Sequence, residues 1–266
     1  VLDLVILGLL QGLTEFLPVS SSAHLLFAEH YLGIARPGLV LEAVLHVGTA
    51  AAVVGLFRAE IVRLLRAMPM LVRRPAPGAP EDGDRRMLLA ILAATLVTGV
   101  LGLAFAGPLE RAFDSVRGTA YRLVVTGAIL ALMRERGTRA AREASWVDGA
   151  AMGLAQAVAI LPGISRSGIT IAAGAICGLG RAEAARLSFL MALPAIAGAG
   201  LFSLKDATEA VSLGYGPLEL LVGAAVAAAS GALAIVWLLD VLRRGRLAWF
   251  AAYCWVAAGV VLVTAR

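Results

Sequence analysis

The sequence predicts an all-α polytopic membrane protein: six transmembrane helices plus two re-entrant helical hairpins, arranged as an inverted-topology repeat. Three observations lead there. Of 266 residues, 60% are hydrophobic and 15% charged, with a mean hydropathy of +0.88, whereas soluble domains are about half apolar and about a quarter charged. Long apolar runs alternate with short loops that hold most of the arginines. Two pairs of shorter apolar runs are each interrupted by Leu-Pro, at Leu17-Pro18 and Leu161-Pro162. The net charge of +5 and isoelectric point near 9.9 do not indicate nucleic acid, because the arginines sit where short loops orient a chain in a bilayer. Cys177 and Cys254 lie in apolar surroundings, without metal or disulfide spacing, and read as small core residues. The first residues are apolar but lack a basic flank and carry Asp3, Gln11 and Glu15, so they read as mature structure rather than a signal peptide.

The elements follow in order. Residues 1–17 end at Pro18, and 22–34 form a second short run; each falls short of the about 20 residues a spanning helix takes. Together they predict a re-entrant hairpin over 1–34. The residue before a proline avoids the helical region, so the first helix stops near Leu17, and Ser20, Ser21 and Ser22 are good N-caps for the next. Residues 39–57 span, bearing Glu42 and His46. Residues 58–86 form a basic loop with a Pro/Gly-rich centre at 75–83. Residues 87–107 span, 108–117 are a short mixed-charge loop, and 118–133 span. Four arginines mark 134–147. Residues 148–161 and 169–179 repeat the hairpin over 148–180, broken at Pro162-Gly163. Residues 184–204 span with a kink at Pro194, 205–217 are a loop, 218–239 span, and 247–264 form the last helix after Arg243, Arg244 and Arg246.

Arginine-rich short loops stay cytoplasmic, which places 58–86, 134–147 and 240–246 inside and 108–117 and 205–217 outside. The first hairpin then enters from outside and the second from the cytoplasm. Each half is one hairpin plus three spans, and an odd number of spans inverts the second copy. One membrane domain over 1–266 thus divides into a first repeat, 1–133, and a second, 148–266. Gly8-Leu-Leu-Gln11 lines up with Gly153-Leu-Ala-Gln156, and the two Leu-Pro pairs align after a one-residue gap. Inverted repeats set broken helices face to face where irregular backbone lines a cavity.

Candidate chemistry gathers at the two breaks. Glu15 is an ionisable group inside a membrane segment, a functional-site hypothesis by default; Gln11, at i−4, shares its helix face. The plainer reading is that Glu15 pairs with an arginine. Ser20, Ser21 and Ser22 precede a helix whose free N–H groups and dipole favour an anion, although capping alone uses one of them. His24 lies one turn beyond Ser21, and reads equally as catalytic or structural. Ser165-Arg166-Ser167-Gly168 puts an arginine at depth, where it needs a carboxylate or a phosphate; its planar fork suits phosphate oxygens, and Gly163 and Gly168 let backbone approach closely. A purely structural Arg166–Glu15 ion pair is the alternative. Glu42 and His46 are supporting or structural, and Ser188 is a further candidate for the cavity wall. An arginine and two helix N-termini that bind diphosphate, with a carboxylate, a histidine and a serine beside them, suit phosphoryl transfer to water. Apolar walls make a lipid diphosphate the expected substrate. A carrier of small anions or a flippase would use the same architecture, with less need of the Ser21–His24–Glu15 cluster.

Gln11-Gly-Leu-Thr-Glu15-Phe-Leu-Pro-Val-Ser-Ser-Ser-Ala-His24 resembles the (Glu/Gln)-x-x-x-Glu region of undecaprenyl pyrophosphate phosphatases of the bacitracin-resistance type. Leu161-Pro-Gly-Ile-Ser-Arg166-Ser-Gly-Ile-Thr170 is similar to that family's Pro-Gly-x-Ser-Arg-Ser-Gly motif. The resemblance covers essentially the whole chain. It implies an integral inner-membrane enzyme that hydrolyses undecaprenyl diphosphate to undecaprenyl phosphate and inorganic phosphate, recycling the lipid carrier for cell-wall synthesis and affecting bacitracin sensitivity, with Mg²⁺ or Ca²⁺ as an aiding divalent cation. By position it makes Ser21 the nucleophile, Glu15 the acid/base or metal-associated carboxylate, Arg166 the phosphate clamp and His24 a catalytic histidine. Gln11, Ser20, Ser22, Ser165, Ser167 and Gly168 are the expected substrate-binding residues. Gln11 stands where the family often has Glu, which removes one charge from a two-carboxylate metal site, and Ser-Ser-Ser-Ala replaces a frequent Ser-Ser-Thr-Gly. The expected partners are a polyprenyl diphosphate lipid and membrane lipids, with no nucleic acid; a homodimer is one candidate assembly, and the sequence leaves the oligomeric state open.

Overall fold

The computed structural model describes residues 2–33, 39–73, 75, 79–133, 137–203, 216–245 and 247–265. In chain order these form α1 (Leu2–Phe16), α2 (Ser21–Leu32), α3 (Leu39–Leu56), α4 (Arg58–Ala67), α5 (Pro80–Ala104), α6 (Ala106–Arg111), α7 (Val116–Leu132), α8 (Trp146–Val158), α9 (Arg166–Ile176), α10 (Arg181–Ser203), α11 (Pro217–Arg243) and α12 (Ala248–Thr264). The fold is all-α; the one β feature among the described residues is an isolated bridge between Arg139 and Leu179.

Among the described residues, three helices are long and apolar enough to cross a bilayer: Glu81–Ala104, Arg181–Gly200 and Pro217–Arg243. A fourth span exists if α3 and the segment after it are taken together, although Leu41–Leu56 and Arg58–Leu71 meet at 83°. The helices α7 and α12 are 17 residues each, about 25 Å at 1.5 Å per residue. Local chemistry sets several helix starts. Pro80 opens α5 with Glu81 and Asp82 in its first turn, matching the free N–H groups and positive dipole end there. Ser145 and Asp148 form a reciprocal capping box on α8.

Two loops expected from sequence contain helix. The basic stretch 58–86 holds α4, a short 3-10 turn at Met68–Leu71 and the first turns of α5. Its arginines recur at helical spacing beside Ile61, Leu64 and Ala67, of which Leu64 and Ala67 are buried. The mixed-charge loop 108–117 holds most of α6 and a 3-10 turn at Ala112–Asp114. The predicted 205–217 loop lies almost wholly outside the described residues. Pro194 lies inside α10, as placed from sequence.

Close backbone approach seats α1 and α8. On α1, Gly8 lies against the Gly223 carbonyl and Gly12 against Ala227, Ser230 and Gly231 of α11; on α8, Gly149 and Gly153 lie against Ala90 and Ala94 of α5. Small residues at this spacing let helices pack by direct backbone contact, the main source of helix association in lipid. Phe16 of α1 and Phe189 of α10 pack edge to face in the core, with ring centroids 5.4 Å apart. One end of the bundle collects the basic segments. Asp84 pairs with Arg63 and Arg142, Glu60 with Arg63 and Arg186, and Arg181 reaches the Met133 carbonyl and lies beside Gly245.

Candidate active site

The site forms where the break between α1 and α2 touches the break between α8 and α9. The first break follows Phe16 through a turn at residues 17–19. Ser20 then adopts φ 69°, the one positive φ among the described non-glycine residues. That region costs a serine about 1–3 kcal/mol and persists only where neighbours hold it. Here the Ser20 hydroxyl accepts the Gly163 N–H at 3.2 Å and shares a hydrogen bond with Ser22 Oγ. Its carbonyl accepts His24 Nδ1–H at 2.8 Å. The capping expected of the serine run therefore does not form: Ser20 makes no side-chain cap to α2, because its hydroxyl is committed to the opposite break.

The second break is held by α7. Arg122 donates to the Pro162 and Ala112 carbonyls. The Thr126 hydroxyl donates to the Gly163 carbonyl at 2.8 Å and accepts the Ser165 N–H at 3.0 Å. Gly163 has φ 99° and sits against the Thr119 carbonyl, so only glycine fits there. Ser165 caps α9 by accepting the Gly168 N–H at 3.1 Å. Ser167 donates to the Leu17 carbonyl at 3.1 Å, a second direct link between the breaks.

Glu15 is the centre. Arg166 Nη2 donates to its Oε1 at 2.5 Å; Ser21 Oγ donates to its Oε2 at 2.6 Å and Gln11 Nε2 to the same oxygen at 3.0 Å. Glu15 and Gln11 are buried, and the Arg166 side chain is 16% exposed. Two buried polar atoms have no partner in this cluster: Arg166 Nη1, a donor, and Gln11 Oε1, an acceptor. A buried guanidinium N–H left unpaired is costly unless a ligand completes it. The backbone behind Arg166 is fixed by Thr170, whose hydroxyl donates to the Arg166 carbonyl and meets Ser188 Oγ at 2.6 Å. The arrangement is a cationic donor, a hydroxyl and a carboxylate within reach of one anionic group.

The chain matches the family model described as bacitracin resistance protein BacA over residues 4–260. It belongs to this family. It is 40% identical to the undecaprenyl-diphosphatase of Desulfatibacillum aliphaticivorans over 98% of both chains. It is 43% identical to that of Syntrophotalea carbinolica over 97% of both, and 39% identical to that of Methanobrevibacter smithii over 99% of this chain and 97% of the relative.

In this BacA-family chain Gln11, Glu15, Ser21 and Arg166 form one hydrogen-bonded group, and Ser20, Ser22, Ser165, Ser167 and Gly168 lie at the paired breaks around it. His24 is placed differently from the other candidates. A carbonyl can only accept, so Nδ1 carries the proton given to Ser20, and Nε2 accepts from Tyr253 O–H at 2.7 Å; both ring nitrogens are bonded away from Ser21. The histidine beside Glu15 is His46, with Nε2 3.6 Å from Oε2 and Nδ1 donating to the Glu42 carbonyl. Arg122, Thr126 and Tyr253 were not singled out from sequence. Arg122 and Thr126 carried a signal, an arginine and a threonine one turn apart inside an apolar run. Tyr253 carried none, since an aromatic in an apolar helix reads as packing.

Proposed function

We propose that the chain is a multi-pass enzyme of the cytoplasmic membrane that hydrolyses undecaprenyl diphosphate to undecaprenyl phosphate and inorganic phosphate, recycling the carrier for cell-wall synthesis. The observation that carries the chemistry is the unpartnered Arg166 Nη1 buried beside the Ser21–Glu15 hydrogen bond. Arg166 and the N–H groups at the start of α9 hold the terminal phosphate. Ser21 Oγ attacks its phosphorus as the proton passes to Glu15 Oε2. The P–O bond to the lipid-side phosphate breaks, and undecaprenyl phosphate leaves with the electron pair. The departing undecaprenyl phosphate takes the proton from Glu15, which is again a carboxylate. Water then attacks the phosphoserine, giving one proton to Glu15, and Glu15 passes it to Ser21 Oγ as the serine P–O bond breaks and inorganic phosphate leaves. Serine needs such an adjacent base at neutral pH, and the fixed guanidinium stabilises charge on the transferring group.

The residues fit a divalent cation of the kind that binds one or two protein oxygens together with substrate phosphates. Gln11 Oε1, buried and unpartnered, and the Glu15 carboxylate would hold it with the diphosphate. Mg²⁺ or Ca²⁺ there would supply neutralising charge to the diphosphate.

We read the architecture as six spans, α3, α5, α7, α10, α11 and α12, with hairpins α1–α2 and α8–α9, in inverted halves of residues 1–133 and 148–266. Exchanged packing supports this. The hairpin helix α1 of the first half lies on the second span of the other half, α11, and α8 lies on the second span of the first half, α5. The third spans cross over likewise: α7 holds the second break, and α12 touches the first through Cys254 against the Pro18 carbonyl.

Phosphate release from undecaprenyl diphosphate by the purified protein, with chelation and add-back of Mg²⁺ or Ca²⁺, tests the function. Release is expected. A folded protein that moves the lipid or an anion between liposome leaflets without release would make it a carrier instead.

A further inference from the structure

We propose that Tyr253 is a positioning residue of the site, and that His24 works with it as a brace on Ser20 rather than as the base for Ser21. The proposal rests on the phosphatase reading above. Its starting point is the order of donors along one line. The Ser20 carbonyl accepts from His24 Nδ1–H, so the neutral ring has a bare Nε2 that needs a donor, and the Tyr253 hydroxyl supplies it at 2.7 Å. The two rings lie 8° from parallel with centroids 5.6 Å apart, which fixes the imidazole plane as well as its tautomer.

The brace acts where backbone is least able to hold itself. Ser20 has the positive φ, and Ser21 is the next residue. The peptide between them sets where Ser21 Oγ points, 2.6 Å from Glu15 Oε2. The Ser20 carbonyl also accepts the His24 backbone N–H at 3.3 Å. Loss of the shorter imidazole bond leaves it on that longer bond alone, which loosens the peptide and takes the hydroxyl off line.

Tyr253 is itself rigidly placed. Three successive residues of α12 each bind a different element: Tyr253 holds His24 of α2, Cys254 Sγ faces the Pro18 carbonyl at 3.7 Å, and Trp255 Nε1 donates to the Val124 carbonyl of α7 at 3.1 Å. The α7 face that receives Trp255 is opened by Gly127. Since α7 also fixes Gly163 and Ser165, both breaks are referenced to one α7–α12 pair.

The experiment compares Tyr253→Phe, His24→Asn, His24→Ala and the double variant Tyr253→Phe/His24→Asn by steady-state phosphate release across pH, with unfolding midpoints as the check on integrity. Asn retains a donor where Nδ1 stands and has no titrating ring. Tyr253→Phe should lower kcat about tenfold with KM unchanged, the rate equivalent of one lost hydrogen bond. His24→Asn should keep most of the kcat that His24→Ala loses, with the pH profile retaining its shape. Adding Tyr253→Phe to His24→Asn should change nothing further, because the acceptor is gone. Wild-type kcat in Tyr253→Phe overturns the proposal. So does a His24→Asn as inactive as His24→Ala at an unchanged unfolding midpoint, which would make the imidazole a proton carrier. A wild-type protein that releases no phosphate would instead remove the phosphatase reading.

Discussion

Ser21 and Arg166 meet on opposite oxygens of one carboxylate: Ser21 Oγ donates to Glu15 Oε2 at 2.6 Å and Arg166 Nη2 to Oε1 at 2.5 Å. The ion pair and the proposed catalytic geometry are therefore one arrangement. Glu15 compensates the buried guanidinium, orients it, and lies within proton-transfer distance of the hydroxyl. Arg166 uses one Nη on Glu15 and leaves the other buried without a partner, the atom proposed above to meet a phosphate.

Stability should expose that double duty. Removing one partner of a buried pair leaves an uncompensated charge and costs about 3–5 kcal/mol. Glu15→Ala should therefore lower the unfolding midpoint sharply, and Glu15→Ala/Arg166→Ala should recover part of it. Neither should release phosphate. Arg166→Lys keeps the charge but loses the planar fork, and its rate of phosphate release should fall by roughly 10²–10³. Near-wild-type turnover in Arg166→Lys would take the second Nη out of the mechanism.

A covalent route leaves a trace. Acid quenching during turnover should trap phosphate on Ser21, detectable by peptide mass spectrometry, and Ser21→Ala should lose on the order of 10³-fold or more in rate, as removal of an activated nucleophile does. A rapid Ser21→Ala enzyme would assign the attack to water held by Glu15.

Much of this was legible from sequence because lipid makes polar residues conspicuous. A carboxylate, a serine run and an arginine beside two Leu-Pro breaks have few structural uses at depth, and the helix breaks fall close to where the prolines put them. What sequence concealed was direction. Ser20 sits where an N-cap belongs, yet its hydroxyl crosses to Gly163, a contact between distant segments that no local pattern encodes. Helical periodicity places His24 near Ser21, but α12 supplies a partner that turns its ring away, and the imidazole beside Glu15 is that of His46. The helix α4 was hidden by its arginines, which made an amphipathic helix look like a loop.

Thr126 should matter more than its size suggests. It satisfies both the Gly163 carbonyl and the Ser165 N–H, so Thr126→Val, nearly the same shape, strands two buried backbone groups at about 1–3 kcal/mol each. Activity should fall with stability, because Ser165 and Arg166 are adjacent. Thr126→Ser, which keeps the hydroxyl, should restore both. If Thr126→Val unfolds and turns over like wild type, α7 does not hold the second break.

Backbone contact between α8 and α5 gives a sharper test, because a control lies on the same helix pair. A methyl at Gly153 would sit 2.6 Å from both Cα and the carbonyl oxygen of Ala94. These are backbone atoms, so the helices must separate, at a cost of about 1–3 kcal/mol. The same separation stretches the Thr98 hydroxyl bond to the Gly153 carbonyl and the Gln156 bond to Thr98, and moves the base of the hairpin that carries Arg166. Gly153→Ala should lower both the unfolding midpoint and phosphate release. Gly99, on α5, has nothing within 4 Å of a Cβ, so Gly99→Ala should be neutral or more stable by about 0.5–1 kcal/mol from helix propensity alone. Equal midpoints for the two variants would mean that α8 and α5 are not in backbone contact, and the exchanged packing that supports the inverted repeat would lose one of its two halves.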